Sequence, residues 1–259
     1  MILDEIVKYK KEFVKEQKFK KPLREFVSQI GDLPETLNFQ KAIKKKTRIN
    51  LIAEIKKTSP SRGIIREDFN PEQIARIYQE NGASAISILT DEKYFQGSLE
   101  YLKSIRKIIN IPLLRKEFII DDYQIYESRA AGADAILLIV SILDKYQLKD
   151  FKELCDELNL SILLEVFNKN ELEKAHEFNF PIIGINNRNL QTFEVDINNT
   201  IELAKYIPDE KIKVSESGIS NYEQVKLFDE HTIDAVIIGE SLMREKNIAQ
   251  AIKRLMNIN

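Results

Sequence analysis

The sequence contains a single cysteine, two histidines and no tryptophan. One cysteine, Cys155, excludes an internal disulfide framework and fits a reducing compartment. Its surroundings, FKELCDELNL, have a helical pattern and indicate a buried structural thiol rather than a nucleophile. His176 and His231 also stand in helical or helix-end segments, and no cluster of His and Cys residues has the spacing of a metal site. Any chemistry in this chain must therefore come from lysines and carboxylates.

Long apolar runs and an excess of charge of one sign are also missing. No run approaches the roughly 18 uninterrupted apolar residues of a membrane span. The N-terminal MILDEIVKYKKEF is charged throughout, unlike a secretory signal. The 39 basic and 41 acidic residues give a formal net charge of -2, which provides no general attraction to nucleic acid or to an anionic membrane. We therefore expect a soluble cytoplasmic protein, a monomer or weak homodimer, that binds neither nucleic acid nor membrane and recognises any phosphate locally.

The composition provides enough apolar material for a sizeable core, since 43% of the residues are hydrophobic and 31% are charged. Residues 1–46 show helical patterns and no strand. We predict three helices there: ILDEIVKYKKEFVKEQ, then PLREFVSQI, which Pro22 starts and Gly31 ends, and finally PETLNFQKAIKKK. The lysine-rich pieces KFKK and KKK form either a patch for an anionic partner or, as we favour, a solvated surface.

From Leu51 onwards, short β-branched runs alternate with amphipathic helices. The runs are LIAEIK, SAISIL, PLLRKEF, DAILLIV, SILLEVF, PIIGINNR, KVSESG and DAVIIGES. Nearly continuous apolar strands separated by helices imply a parallel sheet covered on its faces, and eight such units close into a (β/α)8 barrel. An open doubly wound sheet is the alternative, but no G-x-G-x-x-G follows a strand. We predict an α/β TIM barrel in one domain, with residues 1–46 as a helical extension packed on the barrel of residues 47–259.

Charged side chains mark the carboxyl ends of the predicted strands, where barrels carry their catalytic groups. Alternation along each strand directs one set of polar residues inward: Glu54, Lys56, Lys116, Glu165, Asn186 and Glu216. The same alternation turns Arg115 and Glu117 outward or towards the loops. The inward charges either form ion pairs that only cap the core or, as we favour, build a catalytic cluster.

Desolvation and charge in such a cluster shift pKa values. A second lysine nearby lowers the pKa of a lysine, so it becomes easier to deprotonate. An apolar environment at the cavity opening raises the pKa of a glutamate, so it stays protonated to higher pH. We expect both shifts to bring these groups towards the working pH for general acid–base catalysis.

Glycine turns follow the seventh and eighth strands. SESGIS places Ser217 and Gly218 at one turn, and IIGESLMR places Gly239, Glu240 and Ser241 at the next. Glycines let backbone N–H groups approach an anion, and a helix N-terminus adds partial positive charge. The glycines also suit tight turns alone, but phosphate sites recur after these two strands of the fold. We therefore predict a phosphate site there.

Three further features surround the predicted cluster. SPSRG after the first strand supplies hydroxyls and backbone donors beside Lys56. Arg188 offers a two-pronged contact to a carboxylate. Phe95 and Phe118, at the ends of the second and third strands, either wall a pocket for an aromatic ring or pack as core and rim residues.

Seven motifs resemble one family in order and content. They are IAEIKKTSPSRG, SILTDEKYFQGS, PLLRKEFI, LLEVFN, IGINNRNL, VSESGIS and IIGESLMR. Between Leu51 and Arg244 the chain resembles the indole-3-glycerol-phosphate synthases of tryptophan biosynthesis, in which a helical N-terminal extension is also typical. The resemblance implies a lyase that closes a ring with loss of carbon dioxide and water, converting 1-(2-carboxyphenylamino)-1-deoxyribulose 5-phosphate to indole-3-glycerol phosphate. It implies neither a metal nor a cofactor.

The resemblance also implies a role for each matching residue. Lys116 would be the general acid, Glu165 the acid/base group of the later steps, and Lys56 would assist dehydration. The remaining roles are substrate positioning by Glu54, Asn186 and Glu216, carboxylate binding by Ser59 with support from Arg188, and phosphate binding by Ser217, Gly218, Gly239 and Glu240.

Glu240 departs from the family pattern, because many relatives carry a small hydroxyl residue there. We expect its side chain to turn away from phosphate and its amide alone to contribute. The runner-up within enzymes is a barrel such as phosphoribosylanthranilate isomerase, which needs a Cys/Asp pair, whereas Cys155 stands on a helix. A non-catalytic barrel that serves as an assembly partner is the third reading, and the joint presence of Lys56, Lys116 and Glu165 argues against it.

Overall fold

The computed structural model describes residues 2–258. Eight parallel strands form a closed barrel, in which each strand pairs with the next along the chain and the last pairs with the first. The strands are β1 Asn50–Ile55, β2 Ala85–Leu89, β3 Leu113–Lys116, β4 Ala135–Ile139, β5 Ser161–Val166, β6 Ile182–Asn186, β7 Ile212–Glu216 and β8 Ala235–Ile238. The prediction of a (β/α)8 barrel is confirmed, and the open doubly wound alternative is wrong.

Helices surround the barrel and precede it. They are α1 Ile2–Lys20, α2 Leu23–Ile30, α3 Phe39–Ile43, α4 Pro71–Glu80, α5 Glu92–Phe95, α6 Leu99–Arg106, α7 Asp122–Ala130, α8 Lys145–Glu157, α9 Lys169–Glu177, α10 Asn198–Ala204, α11 Tyr222–Glu230, α12 Glu240–Met243 and α13 Ile248–Met256, with a 3-10 turn at Val140–Ile142. Gly82 and Gly132 end two of them with φ of 87° and 89°. Glycine adopts this left-handed conformation without a steric penalty, which allows each helix to end there. Within residues 2–258 no helix has the length and apolarity to cross a membrane.

The barrel interior is apolar below its carboxyl end. Residues with the predicted inward alternation form one buried cluster, which includes Ile52, Leu114, Leu163, Ile182, Ile212 and Val214. A larger cluster fills the layer between strands and helices. Helix α3 closes the amino end, because Phe39 and Ile43 are fully buried in the interior cluster. The inward polar residues are therefore confined to the opposite end of the barrel.

Helices form at all three places predicted within residues 1–46, but α3 covers only Phe39–Ile43 of the segment PETLNFQKAIKKK. Helices α1 and α2 pack on α7. Val14, Phe26 and Tyr123 form a small buried cluster there. The Tyr123 hydroxyl lies at hydrogen-bonding distance from two backbone carbonyls, that of Gln17 in α1 at 3.1 Å and that of Lys21 just after α1 at 3.0 Å, which share its one proton. Helix α1 is thereby fixed against the barrel next to the end of β3.

Two local features differ from the expected strand runs. The run PLLRKEF ends as a strand at Lys116, because the Phe118 N–H bonds the Glu117 carboxylate at 2.8 Å instead of a strand partner. After β1 a short hairpin pairs Thr58–Ser59 with Gly63–Ile64, and sequence periodicity did not indicate it. The hairpin bends the SPSRG segment back over the carboxyl end of the barrel.

Candidate active site

A cavity of about 610 Å³ opens at the carboxyl ends of the strands. Thirteen of the fourteen predicted site residues line it: Glu54, Lys56, Ser59, Phe95, Lys116, Phe118, Glu165, Asn186, Arg188, Ser217, Gly218, Gly239 and Glu240. The fourteenth, Glu216, is fully buried and bonds to Lys116 at the cavity floor. The structure thus brings the predicted residues together, while their individual roles stay predictions.

A row of alternating charges crosses the cavity floor. Lys116 Nζ lies 2.7 Å from Glu216 Oε2 and 3.6 Å from Glu54 Oε2. The other oxygen of Glu54 lies 2.6 Å from Lys56 Nζ. The two lysines are therefore separated by a carboxylate instead of facing each other.

This arrangement overturns the expected direction of the Lys116 pKa. Burial alone lowers it, but the carboxylates of Glu216, Glu54 and Glu165 outweigh burial and raise the pKa above its ordinary value. The expectation that a neighbouring lysine makes Lys116 easier to deprotonate is wrong, because strand alternation gives the face of a side chain and not its nearest neighbour. Without a ligand Lys116 is therefore a charged donor.

Glu54 shows the reverse balance. Burial alone raises the pKa of its carboxyl, but the charges of Lys56 and Lys116 hold it below the ordinary value. Glu54 is therefore ionised between the two lysines, as a positioning group must be to hold both.

Glu165 behaves as the sequence predicted. Burial and the nearby charge of Glu216 raise its pKa to about 8. Asn186 Nδ2 donates to Glu165 at 3.0 Å, and the Arg188 N–H donates to Asn186 Oδ1 at 2.9 Å, which fixes the orientation of the amide. At neutral pH Glu165 is mainly protonated and has a proton to give.

Two glycines make room for the carboxylates of the floor. A Cβ at Gly184 would lie 2.2 Å from Glu216 Oε1, and a Cβ at Gly239 would lie 2.3 Å from Glu54 Oε1. Gly184 carries no reactive group, and the sequence analysis gave it no role. A glycine inside an apolar strand signals such a close approach.

The turns after β7 and β8 form one end of the cavity. Ser217 and Gly218 both have positive φ, 67° and 81°. A Cβ at Gly218 would lie 2.4 Å from Val195, so only glycine fits there. The Ser241 hydroxyl donates to the Ile219 carbonyl and joins the two turns. The two turns are therefore held next to each other where they line the cavity.

The Glu240 side chain is surrounded by guanidinium groups. Its Oε1 lies 3.3 Å from Arg62 Nε and 3.1 Å from Arg244 Nε, and its Oε2 lies 3.9 Å from Arg188 Nη2. Neither Arg62 nor Arg244 was predicted to be a site residue, although Arg62 belongs to the SPSRG motif. These pairs offset the carboxylate charge beside the glycine turns.

Another part of the cavity lining is aromatic and apolar. The rings of Phe95 and Phe118 lie 6.1 Å apart between centroids, and both line the cavity. Ile2, Leu3 and Ile6 from the first turns of α1 line it as well, a contribution that the sequence analysis did not identify. The geometry favours a pocket wall over simple core packing for the two phenylalanines.

Ser59 lies near the Lys56 end of the cavity. Its hydroxyl is buried and has no hydrogen-bond partner among the described residues. An unpaired buried hydroxyl is costly unless a ligand satisfies it. Ser59 also lines the cavity, so its hydroxyl has unused hydrogen-bonding capacity next to the space for a bound molecule.

Comparisons with known proteins agree with this geometry. A family model described as "Indole-3-glycerol phosphate synthase" matches residues 3–255. The indole-3-glycerol phosphate synthases of Alkaliphilus metalliredigens (strain QYMF) and Legionella pneumophila (strain Lens) are each 49% identical to this chain over 255 residues, covering 98% of this chain and 98% of each relative.

Two solved structures share the fold at low sequence identity. Thiamine phosphate pyrophosphorylase from Pyrococcus furiosus has a TM-score of 0.62 at 15% identity, covering 85% of this chain and 96% of that one. Phosphoribosylanthranilate isomerase from Thermotoga maritima has a TM-score of 0.58 at 15% identity, covering 80% of this chain and 96% of that one. At this identity the likeness concerns the fold alone.

Proposed function

Because the chain belongs to the indole-3-glycerol phosphate synthase family, carboxy-lyases of tryptophan biosynthesis, we propose that its lysine–glutamate cluster carries out the ring closure of that family. The substrate, 1-(2-carboxyphenylamino)-1-deoxyribulose 5-phosphate, has a carboxylate at one end and a phosphate at the other. The observation that carries the proposal is the charged Lys116, set among three carboxylates at the floor of a cavity that Ser59 and the glycine turns after β7 and β8 also line.

Lys116 acts as the general acid of the first step. It protonates the ribulose carbonyl oxygen while the aromatic ring carbon attacks the carbonyl carbon. Its raised pKa ensures that the proton is present, although the carbonyl must compete with Glu216 for it. Bound substrate excludes water, and burial favours a neutral lysine, so proton release becomes easier in the complex.

Loss of carbon dioxide restores a neutral intermediate, and dehydration then completes the indole. Glu165 gives its proton to the departing hydroxyl, with Lys56 assisting, and water leaves. The Glu165 carboxylate then takes up the proton that the ring carbon next to the nitrogen loses as the C=C bond of the indole forms, so Glu165 is protonated again. Asn186 and Glu54 keep these two groups in position through bonds of 3.0 Å and 2.6 Å. Positioning alone contributes on the order of 7–11 kcal/mol in favourable intramolecular reactions.

The two ends of the cavity orient the substrate. Ser217, Gly218, Gly239 and the Glu240 amide bind the phosphate through backbone N–H groups. Ser59 and Arg188 bind and support the carboxylate, and Phe95 and Phe118 flank the aromatic ring. The unpaired Ser59 hydroxyl and the paired phenylalanine rings support this orientation.

Formation of the indole ring gives a direct test of the function. The chain contains no tryptophan, so indole fluorescence that appears from the carboxyphenylamino substrate is not masked by tryptophan emission from the protein. Wild-type enzyme should generate the signal without added metal or cofactor. Absence of product would contradict the proposal.

The isomerase and assembly-partner readings have less support. Cys155 is fully buried, and burial raises the pKa of its thiol, so it does not serve as an acid–base group. A non-catalytic assembly partner would not require a row of buried lysines and glutamates beneath an open cavity. We further propose one domain, with residues 1–46 as an extension of the barrel of residues 47–259, that works in the cytoplasm as a monomer or weak homodimer.

The pH dependence of kcat/KM should report Glu165. Its protonated form is the acid, so activity should be full below pH 7 and fall as the pH rises through about 8. Glu165→Gln keeps the shape but has no proton to give, so kcat should fall by roughly 10²–10⁴-fold. The exposed Glu153, replaced by Gln, serves as the control and should leave the profile unchanged. A profile that is identical in wild type and Glu165→Gln would assign the ionisation to another group.

Glu240→Ser should tighten the binding of inorganic phosphate by less than about tenfold, since partly exposed ion pairs contribute about 0–1 kcal/mol each. Its carboxylate is already offset by three arginines, and the amide remains in place. Inhibition constants for phosphate against the substrate provide the measurement. A gain larger than tenfold would show that the carboxylate points at the phosphate.

A further inference from the structure

A buried polar network lies directly behind the turn of Ser217 and Gly218. Its members are Asn187, just after β6, Thr200 on α10 and Ser215 on β7, and each is at most 1% exposed. None of the three faces the cavity, and the proposed chemistry does not use them. Four polar side-chain atoms at such depth require a defined set of hydrogen bonds.

The chemistry of the donors fixes the direction of every bond. The Thr200 backbone N–H lies 3.1 Å from Asn187 Oδ1, and because an N–H only donates, the facing atom must be the amide oxygen. The Thr200 hydroxyl donates to the same oxygen at 2.8 Å, so it must accept from Ser215 at 2.7 Å. Asn187 Nδ2 then donates to the Ser215 hydroxyl at 3.1 Å and closes a ring.

One N–H of Asn187 remains outside this ring. It donates to the Ser217 carbonyl at 3.0 Å. In a planar trans peptide the C=O and the following N–H point in opposite directions. Pinning the Ser217 carbonyl to Asn187 therefore turns the Gly218 N–H away from the network, towards the cavity that Ser217 and Gly218 line.

The turn needs such a restraint. Ser217 has φ of 67°, which is unfavourable for a residue with a Cβ. The following Gly218, at 81°, has wide conformational freedom of its own. Without an anchor, the peptide between them is free to rotate its N–H out of the phosphate site.

We propose that Asn187 is a positioning residue for the substrate phosphate, because its side-chain amide locks the Ser217–Gly218 peptide with the N–H towards the anion. The inference rests on the proposed phosphate site at this turn. The hydrogen-bonded ring sets the orientation of Asn187, and Asn187 sets the orientation of Gly218. Phosphate binding at this turn thus depends on a side chain that the ligand does not touch.

Isotope labelling of the Ser217–Gly218 peptide measures both the hydrogen bond from Asn187 and the binding of phosphate. Ser217–Gly218 is the one Ser-Gly pair in the sequence, so serine labelled with ¹³C at the carbonyl and glycine labelled with ¹⁵N give one correlated signal. Its carbonyl shift reports the bond from Asn187, and its amide shift reports added inorganic phosphate. In wild type, phosphate should shift the amide.

Asn187→Leu keeps the side-chain volume and removes the donor. We expect the Ser217 carbonyl shift to change, the affinity of the Gly218 amide for phosphate to fall about tenfold, and KM to rise in parallel, while kcat changes little. Thr200→Val is the matched control. It removes two hydrogen bonds of the same buried ring and leaves the bond to Ser217, so it should lower the melting temperature without the change in KM. Asn187→Asp, which retains the acceptor for Thr200, replaces Asn187→Leu if that variant fails to fold.

The outcomes separate the inference from the proposed site. If phosphate leaves the wild-type Gly218 amide unchanged, the proposed phosphate site fails and the inference fails with it. If phosphate binds the turn equally well in wild type and Asn187→Leu, only the inference is overturned. Equal rises of KM in Asn187→Leu and Thr200→Val would also overturn it, since they would reveal a purely structural role.

Discussion

Lys116→Met is expected to lower kcat by roughly 10²–10⁴-fold, the usual contribution of a positioned general acid. Methionine preserves the length and most of the packing of the side chain and removes its proton and charge. The loss should fall on kcat, because phosphate and carboxylate binding at the ends of the cavity remains intact. Single-turnover measurement of indole fluorescence separates this chemical step from product release.

Lys213 offers a matched control for this variant. It is also buried on a barrel strand, but it points outward and pairs with Asp209 at 3.1 Å. Lys213→Met therefore tests the loss of a buried lysine without touching the cavity, and we expect kcat to stay within about threefold of wild type. Undiminished turnover in Lys116→Met, or equal losses in both variants, would remove Lys116 from the proposed mechanism.

The removal of Lys116 also changes its neighbours. Glu216 and Glu54 lose their shared cation, and Glu165 loses the positive charge that partly offsets burial. The pKa of Glu165 should rise further in Lys116→Met. The alkaline limb of any residual activity should therefore move to higher pH.

The cavity floor was predictable because it depends on local alternation. A period of two along β1, β3 and β5 is enough to direct Glu54, Lys116 and Glu165 to one axis, and the barrel rule places them at one end. The glycine turns were predictable for a similar reason, since their backbone requirements appear in SESGIS and IIGES themselves.

Contacts between distant segments were not predictable in this way. Arg62 meets Glu240 although Arg62 follows β1 and Glu240 follows β8, and no periodicity relates them. The wrong direction for the Lys116 pKa has the same origin, because it depended on which neighbour fills the space between two lysines. The sequence does not distinguish Asn187 from other loop asparagines, because its contacts with Thr200 and Ser215 form only in the folded structure.

The largest feature that the sequence did not show is a buried charge network beneath α1. Lys10 is 1% exposed, and its Nζ lies 2.9 Å from both Asp91 and Glu117. Burial alone lowers the pKa of Lys10, but these two carboxylates outweigh burial and raise it. The segment KYKKEF has the sequence pattern of a solvated helix. Lys10 is the lysine that becomes buried, because it packs against the ends of β2 and β3.

This network connects the extension to the active site. Asp91 caps α5, which carries Phe95, and Glu117 stands between Lys116 and Phe118. Thr90 donates to Glu117 at 2.9 Å, and Arg115 lies 3.9 Å from the same oxygen. One lysine from α1 therefore sits between the two segments that carry the aromatic wall.

Lys10→Met should lower the free energy of unfolding by about 3–5 kcal/mol, because it leaves two buried carboxylates without their cation. Lys11→Met, at the exposed neighbouring position, should change it by less than about 0.5 kcal/mol. Urea denaturation of both variants provides the measurement. Adding Glu117→Gln to Lys10→Met should recover part of the stability, whereas equal stability of the Lys10 and Lys11 variants would mean that the network contributes nothing to folding.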